Sequence, residues 1–571
     1  MTADRLSLRR FGLTALCVAV LTLAQPAAAQ DRAEDAGAYL AARIAAASHD
    51  FPAAAEWFAL GLAATPAEPA LLQGLLLAQL ALGEFDGAEA SAGKLLAGGR
   101  NNPSVALALI TAAAAASGDP ARVLDSLGAG RSMGPAIDAL IAGWAEQGLG
   151  RMSEALSRFD EVLAVPGFEG IGLYHKALAL ASAGDFEGAD ALLSGPAARS
   201  VTTFRRGVLA HIQILSQLER NQDALALFDA AFRGALDSGL TDLRRSLAAG
   251  QPVAFDTVTD LRQGLAEVFL SAATAGGEAT DPVARLGLAR AALHLRPDDT
   301  EIMLTVAQSY DALGQPGLAA QAYALVAPDD PAFVQAEIGR ANALRAAGEP
   351  EAAVSVLADL AQAHADQAQV HMALGDMLRR EDRYEAALAA YDAGLALIED
   401  PAPWAWPLHY NRAICLERLG RFAEAVPSFR KALDLNPGQP QVLNYLGYSW
   451  VDRGENLTEA VALIEAAVRA APDQSYIIDS LAWAYYRLGR FADALAPMER
   501  ASLLEPVDPI VTDHLGDVYW VNGRQREARF QWRRALSFEP SEKDAERIRA
   551  KLERGLDAVL EQEKAGDGTS N

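Results

Sequence analysis

The sequence predicts an all-α fold, a right-handed superhelical solenoid in which antiparallel helix pairs stack into one continuous curved surface. Three observations carry this prediction. A proline recurs about every 34 residues, at Pro437, Pro472, Pro506 and Pro540. Small and large apolar residues recur with the same period at helical spacing, and a glycine divides each interval into two halves. Each interval therefore reads as a helix, a tight turn and a second helix.

The second helix of each interval carries small and large residues on one face. A first set of small residues is Ala425, Ala460, Ala494 and Ala528, and the large residues four positions later are Phe429, Ile464, Met498 and Trp532. A second small set is Ala432, Ala467, Ala501 and Ala535. Small residues let two helices approach closely, and a large side chain one turn away fills the remaining space.

The first helix of each interval has its own small residue, followed three positions later by a large one. The small residues are Ala413, Gly447, Ala482 and Gly516, and the large ones are Leu416, Trp450, Tyr485 and Tyr519. The turn glycines are Gly420, Gly454, Gly489 and Gly523. Proline ends each second helix because it lacks an amide donor and clashes with the preceding turn.

This period, with its small, aromatic and proline positions, resembles the tetratricopeptide repeat. The resemblance implies the right-handed stacking of helix pairs. In such solenoids the first helices line the concave face, so residues there that are not used in packing can contact a ligand. We therefore expect a binding function that is carried by the first helices.

Charge and cysteine content narrow the classes of function. The chain has 571 residues and a net charge of −25, which argues against nucleic acid as the main partner because phosphate binding needs a basic surface. The charge is compatible with a basic peptide as partner, and it is also compatible with a role only in keeping the protein soluble.

Cys17 and Cys415 are the only cysteines. We expect no structural disulfide, and we interpret Cys415 as a small core residue.

Residues 1–29 resemble a secretion signal. Arg5, Arg9 and Arg10 precede an apolar run, and Ala27 to Ala29 form a cleavage site of small residues. The sequence thus predicts an exported, periplasmic protein. It leaves open whether the protein associates with the outer membrane, and any membrane association is expected to be peripheral. A twin-arginine signal or a lipid on Cys17 is a weaker interpretation, because the flanking residues fit either pattern poorly.

The remaining chain divides by how well it keeps the repeat. We predict degenerate helical repeats in 30–239, an irregular joint or insertion in 240–282, middle repeats in 283–401, the best-formed block in 402–540, one capping helix in 541–563 and a disordered tail in 564–571. A terminal repeat needs a polar cap over its exposed edge, and the last helix is highly charged.

Two motifs of known catalytic classes are absent from the sequence. There is no phosphate-binding loop and no His-Glu-x-x-His zinc motif. His364 and His371 lie two helical turns apart, but no third metal ligand matches them. We therefore expect a non-catalytic protein without a cofactor or metal.

The first helices of the best block supply the candidate groove residues. They are Tyr410, Asn411, Asn444, Tyr445, Tyr448, Asp479, Trp483, Tyr486, Arg487, Asp513, His514, Asp517 and Trp520. Aromatic rings beside Asn and Asp offer apolar area together with hydrogen bonds to a peptide backbone. Some of these side chains could instead pack between helices, as we expect for Tyr485 and Tyr519. For Tyr448, Trp483 and Trp520 both interpretations stay open.

A second resemblance covers the last third of the chain. The runs 443–448, 479–490, 513–517 and 528–532 are similar to the C-terminal block of periplasmic tetratricopeptide adaptor lipoproteins. That family assembles a carboxyl-terminal processing protease and presents cell-wall hydrolases to it, which implies such partners here. The chain departs from the family in lacking a convincing lipid-attachment cysteine. The alternative is a subunit that aids outer-membrane protein assembly or polysaccharide export.

Overall fold

The computed structural model describes residues 27–98, 104–128, 131–195, 201, 204–232, 237–275, 281–399 and 402–567, with side chains between 37 and 563. These residues form thirty-one α-helices, and no strand occurs among them. The prediction of an all-α fold built from antiparallel helix pairs is confirmed. Two compact units divide the chain, Met1–Val356 and Leu357–Asn571.

The first unit contains eighteen complete helices in its described residues. They are α1 Ala27–Ala47, α2 Phe51–Ala64, α3 Pro69–Leu82, α4 Phe85–Ala97, α5 Ser104–Ala116, α6 Pro120–Ser126, α7 Pro135–Gly148, α8 Met152–Leu163, α9 Glu169–Ser182, α10 Phe186–Leu193, α11 Arg205–Gln217, α12 Asn221–Ala231, α13 Ser238–Ala248, α14 Leu261–Ala275, α15 Pro282–Leu295, α16 Thr300–Ala312, α17 Pro316–Tyr323 and α18 Phe333–Ala346. The next helix, α19 Pro350–Ala363, crosses the boundary between the units.

The helices α14 and α15 differ from the repeat arrangement. They pack on each other and also on α3, α5, α7 and α9. The contact is close because Gly264 of α14 faces the buried Trp144 of α7, and a Cβ at Gly264 would lie 2.4 Å from the indole. In the first unit these two helices therefore pack on helices far away in the sequence as well as on their neighbours. Residues 276–280 of the predicted joint lie outside the described residues.

Buried ion pairs hold α14 in this position. Glu267 of α14 is fully buried and accepts hydrogen bonds from Arg206 of α11 and, at 3.2 Å, from the hydroxyl of Tyr174. Arg206 also donates at 2.9 Å to Asp299, whose other oxygen caps α16 at the amide of Ile302. A buried carboxylate is tolerated only when its oxygens are paired in this way.

The second unit contains the best-formed repeats. Its helices are α20 Ala368–Arg380, α21 Tyr384–Leu395, α22 Trp406–Arg418, α23 Phe422–Leu435, α24 Pro440–Arg453, α25 Leu457–Ala470, α26 Ser475–Arg487, α27 Phe491–Leu504, α28 Pro509–Val521, α29 Gln525–Leu536, α30 Glu542–Arg554 and α31 Leu556–Asp567. Consecutive helices from α20 to α29 pack as five pairs.

The repeated small and large residues of the second helices form the interior of the second unit. All four large residues, Phe429, Ile464, Met498 and Trp532, are fully buried. In two of the pairs the small residue of the first helix is a glycine that faces the large side chain directly. A Cβ at Gly516 would lie 2.4 Å from the Trp532 indole, and one at Gly447 would lie 2.7 Å from Ile464. The predicted contact between small and large residues therefore closes these two pairs.

The C-terminal cap is two helices rather than the single helix predicted for 541–563. Gly555 separates α30 from α31 with a φ of 82°. A Cβ there would lie 2.8 Å from the Trp520 ring, so the chain turns where its backbone meets α28. Residues 564–567, part of the predicted disordered tail, continue α31, and 568–571 lie outside the described residues.

The predicted signal segment lies almost entirely outside the described residues. Residues 1–26 are not described, and α1 begins at Ala27. Within the described part of the chain, no helix combines the length and the apolar character that a membrane crossing requires.

Replacing Trp532 by alanine tests the contact that closes the last repeat pair. We expect Trp532→Ala to lower the free energy of unfolding of the second unit by about 3–5 kcal/mol, because it empties a fully buried aromatic site. Phe530→Ala on the same helix is the matched control, since that ring is exposed, and we expect a change of about 0.5 kcal/mol or less. Urea unfolding followed by circular dichroism measures both, and equal effects would contradict the assignment.

Candidate protein-binding site

The first helices of the second unit form one common face. Direct contacts join α20 to α22, α24 to α26 and α26 to α28. On this inner face, polar and aromatic residues flank each small residue of the repeat. Asn444 and Tyr448 flank Gly447, for example, in the way that Asp513 and Asp517 flank Gly516. Helical spacing therefore aligns the candidate residues in rows along the inner face.

The candidate residues differ widely in exposure. Tyr448 and Arg487 are exposed; the half-buried residues are Tyr410, Asn411, Tyr445, Trp483, His514 and Trp520; the buried ones are Asn444, Asp479, Tyr486, Asp513 and Asp517. The rows thus contain both surface residues and residues that the fold itself uses.

At the N-terminal end of this face, the aromatic residues pack on each other. The ring centroid of Tyr445 lies 5.5 Å from that of Phe429 and 6.0 Å from that of Tyr410. The hydroxyl of Tyr445 donates to Glu417 at 3.2 Å. Burial raises the pKa of Tyr410 to about 12. Since Phe429 belongs to the interior, Tyr445 packs between helices rather than lining a groove, and the prediction for it is corrected.

The polar residue Asn411 is also engaged by the fold. Its side-chain amide donates to the Oδ1 of Asp376 on α20 at 2.8 Å, and the hydroxyl of Tyr391 donates to the same oxygen at 2.6 Å. Asp376 precedes the block to which the sequence prediction was limited. Because it occupies the same place beside Gly375 that Tyr448 occupies beside Gly447, the repeat period could have located it.

The middle of the inner face holds the most accessible candidates. Tyr448 is 36% exposed, and Arg487 is exposed and contacts Asp452 at 3.4 Å. Beside them, Asn444 is buried, and its Oδ1 has no hydrogen-bond partner. An unpaired buried acceptor costs about 1–3 kcal/mol and calls for a specific explanation.

Trp483 forms the centre of an aromatic stack on α26. Its ring lies 4.1 Å from the ring of His514, at an interplanar angle of 18°, and 4.7 Å from the ring of Tyr486, at 15°. A positively charged imidazole over the face of an indole is a favourable arrangement. The stack fixes the orientation of Trp483 and leaves the residue half-buried.

His514 is bound to a carboxylate of the preceding repeat. Its Nδ1 lies 3.0 and 3.1 Å from the two oxygens of Asp479. Burial lowers the pKa of His514, but the negative charges of Asp479, Asp513 and Asp517 outweigh it, so the net shift is upward. The imidazole is therefore held in its charged form more strongly than an isolated histidine.

The acids Asp513 and Asp517 are paired with two cations of the cap, Lys551 and, at 3.8 and 3.6 Å, Arg547. The Nζ of Lys551 on α30 lies 2.7 and 2.9 Å from the oxygens of Asp513 and 2.7 and 2.8 Å from those of Asp517. Lys551 and Asp517 are fully buried, and Asp517 also accepts from the Nε1 of Trp532 at 2.9 Å. The prediction that these two acids line a binding groove is wrong, because the chain itself occupies them.

The sequence contains a signal for Lys551 that the prediction missed. Ala545, Ile548 and Lys551 recur every three residues on α30, and all three are buried. A lysine on the apolar stripe of a terminal helix needs a negative partner. The pair Asp513 and Asp517, one turn apart on α28, supplies that partner.

Trp520 is also covered by the cap. Its Nε1 donates to Asp557 of α31 at 3.0 Å, and its ring lies 5.3 Å from the ring of Trp532. This contact resolves the alternative left open for Trp520 in favour of packing. Tyr485 and Tyr519 pack as expected, and their hydroxyls donate to Glu465 and Glu499 of the preceding second helices at 2.8 and 2.9 Å.

Two further sequence candidates have structural roles. Cys415 is fully buried, and burial raises the pKa of its thiol to about 11. His371 has its Nε2 3.0 Å from the carbonyl of Ala365. A search of the described residues found no cluster of three or more His, Cys, Asp or Glu that could hold a metal ion.

Removing the buried lysine tests the closure of the cap. We expect Lys551→Met to lower the free energy of unfolding of the second unit by about 3–5 kcal/mol, because two carboxylates lose their buried cation. Lys543→Met, on the exposed side of the same helix, is the control and leaves stability nearly unchanged. Adding Asp513→Asn and Asp517→Asn to Lys551→Met recovers part of the loss. Urea unfolding measures all three, and an unperturbed Lys551→Met variant would refute the role.

The raised pKa of His514 predicts a pH-dependent contribution to stability. The contribution is fully present below about pH 6.5, the usual histidine pKa, and it disappears as the pH rises through the higher pKa of the folded state. The difference in unfolding free energy between the wild type and His514→Gln should therefore shrink above pH 6.5. In an Asp479→Asn background the same comparison should depend less on pH. A difference that grows with pH would contradict this account.

Comparison with known proteins agrees with the repeated helix pairs. The family model described as tetratricopeptide repeat matches residues 338–402, 409–475 and 480–542. TPR repeat-containing protein PA4667 of Pseudomonas aeruginosa is 30% identical over 196 residues, which cover 34% of this chain and 32% of that protein. Photosystem I assembly protein Ycf3 of Cyanophora paradoxa is 34% identical over 112 residues, 17% of this chain and 64% of the relative. The chain thus spans less than two thirds of either relative.

Solved structures of similar helical architecture cover most of the chain at low sequence identity. The Cut9–Hcn1 hetero-tetramer of the APC/C matches with a TM-score of 0.38 and 14% identity, covering 95% of this chain and 99% of that one. Yeast Tom70 matches with a TM-score of 0.36 and 14% identity, covering 95% and 100%. The helix pairs of the second unit and the match to the family model lead to the same conclusion. Residues 338–402, 409–475 and 480–542 of this chain carry tetratricopeptide repeats.

Proposed function

We propose that this protein is a non-catalytic scaffold that binds an extended polypeptide on the inner face of the second unit. The observation that carries the proposal is the exposed Tyr448, which shares the inner face with the exposed Arg487 and the half-buried Trp483. An apolar side chain of the bound chain would cover Tyr448. Exposed aromatic rings that are already held in place bind with little loss of conformational entropy.

The binding surface extends toward Trp483 and Arg487. Trp483 is held by the stack with His514 and Tyr486, so its orientation does not have to be fixed on binding. Arg487 and Asp452 supply charges of both signs at the edge of the surface. Asp513 and Asp517 are excluded, since Lys551 pairs with them. The contact surface is therefore the aromatic middle of the face rather than its acidic end.

We further propose that the protein is exported to the periplasm and acts as an adaptor in envelope proteolysis or cell-wall remodelling. The support is the resemblance of 443–448 and 479–490 to periplasmic adaptors that assemble a carboxyl-terminal processing protease, together with the predicted signal in 1–29. The processing protease and its cell-wall hydrolase substrates are then the partners. Any membrane association would be peripheral.

A second candidate function is assistance in assembling a membrane complex. It is favoured by the match to a relative whose name describes it as an assembly protein for photosystem I, over 112 residues. In an exported protein the corresponding role would be assembly of outer-membrane proteins or export of polysaccharide. The two candidates share the binding surface and differ in the partner.

Affinity capture from envelope extracts tests both candidates. The wild-type protein and the Arg487→Ala, Tyr448→Ala and Trp483→Ala variants are used as bait, with Phe530→Ala, at an exposed aromatic residue of a second helix, as the matched control. We expect the three inner-face variants to reduce recovery at least tenfold and the control to leave it unchanged. Recovery of a processing protease supports the adaptor, and recovery of assembly or export machinery supports the second candidate.

Purified components then provide the decisive measurement. Calorimetry of the recovered partner with wild type and Tyr448→Ala gives the change in affinity without other envelope proteins. Equal affinities for variants that retain the wild-type melting temperature would refute the inner face as the binding surface. Turnover of a substrate by the purified chain alone would refute the non-catalytic assignment.

A further inference from the structure

The turn between α27 and α28 exposes four large apolar side chains. Leu503 and Leu504 end α27, Val507 lies in the turn, and Ile510 lies in the first turn of α28. Leu503 is 81% exposed, Val507 68% and Ile510 52%. We call these four residues the turn patch. Clustered exposed apolar residues of this size are uncommon on a monomer and mark interaction sites.

The repeat architecture does not require apolar residues at this turn. Counted from the prolines, the positions of Leu503 and Val507 hold Arg469 and Asp473 in the preceding repeat. In the following repeat they hold Ser537 and Ser541. The same turn forms with these polar residues, so the turn patch is a local feature rather than a part of the common framework.

The turn that carries the patch is fixed by hydrogen bonds to its neighbours. Arg534 of the following pair donates to the carbonyl of Pro506 at 2.7 Å. Asp508 accepts from the amide of Val511 at 2.8 Å and caps α28. Arg500 makes the equivalent bond to Pro472 one repeat earlier, at 2.6 Å. A turn that is already ordered loses little entropy when it binds.

The charges around the turn patch restrict what can cover it. Glu505 lies within the patch and is exposed, and Asp508 follows it, whereas Asp473 on the adjacent turn pairs with Arg500 at 3.5 Å. A second copy of the chain would bring these acids against their own equivalents, and the chain carries a net charge of −25. An anionic lipid surface would be repelled for the same reason. The charges favour a basic partner.

We propose that the turn patch binds an amphipathic segment of a partner protein, with apolar side chains flanked by lysine or arginine. The apolar side chains cover Leu503, Val507 and Ile510, and the basic ones meet Glu505 and Asp508. The turn patch consists of turn and helix-end residues, whereas the peptide surface consists of the inner-face residues Tyr448, Trp483 and Arg487. It is therefore independent of the proposed function, and either can fail alone.

The experiment uses the full chain and two labelled model peptides. One is an amphipathic leucine–lysine helix, and the other is its leucine–glutamate counterpart. Fluorescence anisotropy at physiological salt measures both affinities. We expect the lysine peptide to bind at least tenfold tighter. The double variant Leu503→Ser, Val507→Ser carries the residues of the following repeat at these two positions. We expect it to bind the lysine peptide about tenfold more weakly and to keep the melting temperature of the wild type.

Two further variants separate the contributions of charge and location. Glu505→Gln should lower the affinity for the lysine peptide severalfold without changing the fold, because it removes an exposed acid. Phe530→Ser, at an exposed aromatic residue outside the patch, should leave its affinity within twofold. This control distinguishes the turn patch from general attraction between a basic peptide and an acidic protein.

Several outcomes would overturn the proposal. Unchanged peptide affinity in a folded Leu503→Ser, Val507→Ser variant would do so directly. If the wild type sediments as a dimer and that variant does not, the turn patch binds a second copy of the chain. If the wild type floats with phosphatidylglycerol vesicles and that variant does not, the turn patch binds a membrane. Peptide binding that is lost in Tyr448→Ala but retained in the double variant would place the contact on the inner face.

Discussion

The second unit depends on one contact that recurs in its helix pairs, a small residue of the first helix against a large residue of the second. At Gly516 and Trp532 the approach is so close that even a methyl group would overlap the indole. Burial of the large side chain supplies the hydrophobic stabilisation, and the small residue lets the two backbones approach closely enough for it. Because each pair closes through its own contact, the remaining helix surfaces are free to differ from repeat to repeat.

The C-terminal cap limits how much of the inner face can be used. Lys551 enters the space beside Asp513 and Asp517 and is buried together with Asp517. The geometry satisfies all four carboxylate oxygens, which a buried cluster of charges needs in order to be stable. On the same helix as these acids, His514 is held by Asp479 and stacks on Trp483. What a partner can meet is therefore decided by the cap as well as by the repeats.

The sequence predicts those features that rest on helical periodicity. The buried sets that contain Phe429 and Trp532 follow from spacing alone, and so do the turn glycines. Contacts between distant segments could not be predicted in that way. The packing of α14 on α7 depends on the meeting of Gly264 and Trp144, far apart in the chain, and no period relates them. Among the site residues, spacing could not show that Lys551 from the cap pairs with Asp517.

The unpaired oxygen of Asn444 and the exposed leucine of the turn patch depart from the pattern in opposite ways. Asn444 is a buried polar group whose Oδ1 has no partner and is closed off from the surface, so the fold itself bears the cost. Leu503 is an exposed apolar group where the neighbouring repeats carry Arg469 and Ser537. Since the framework tolerates polar residues at this turn, the exposed leucine is not required for folding.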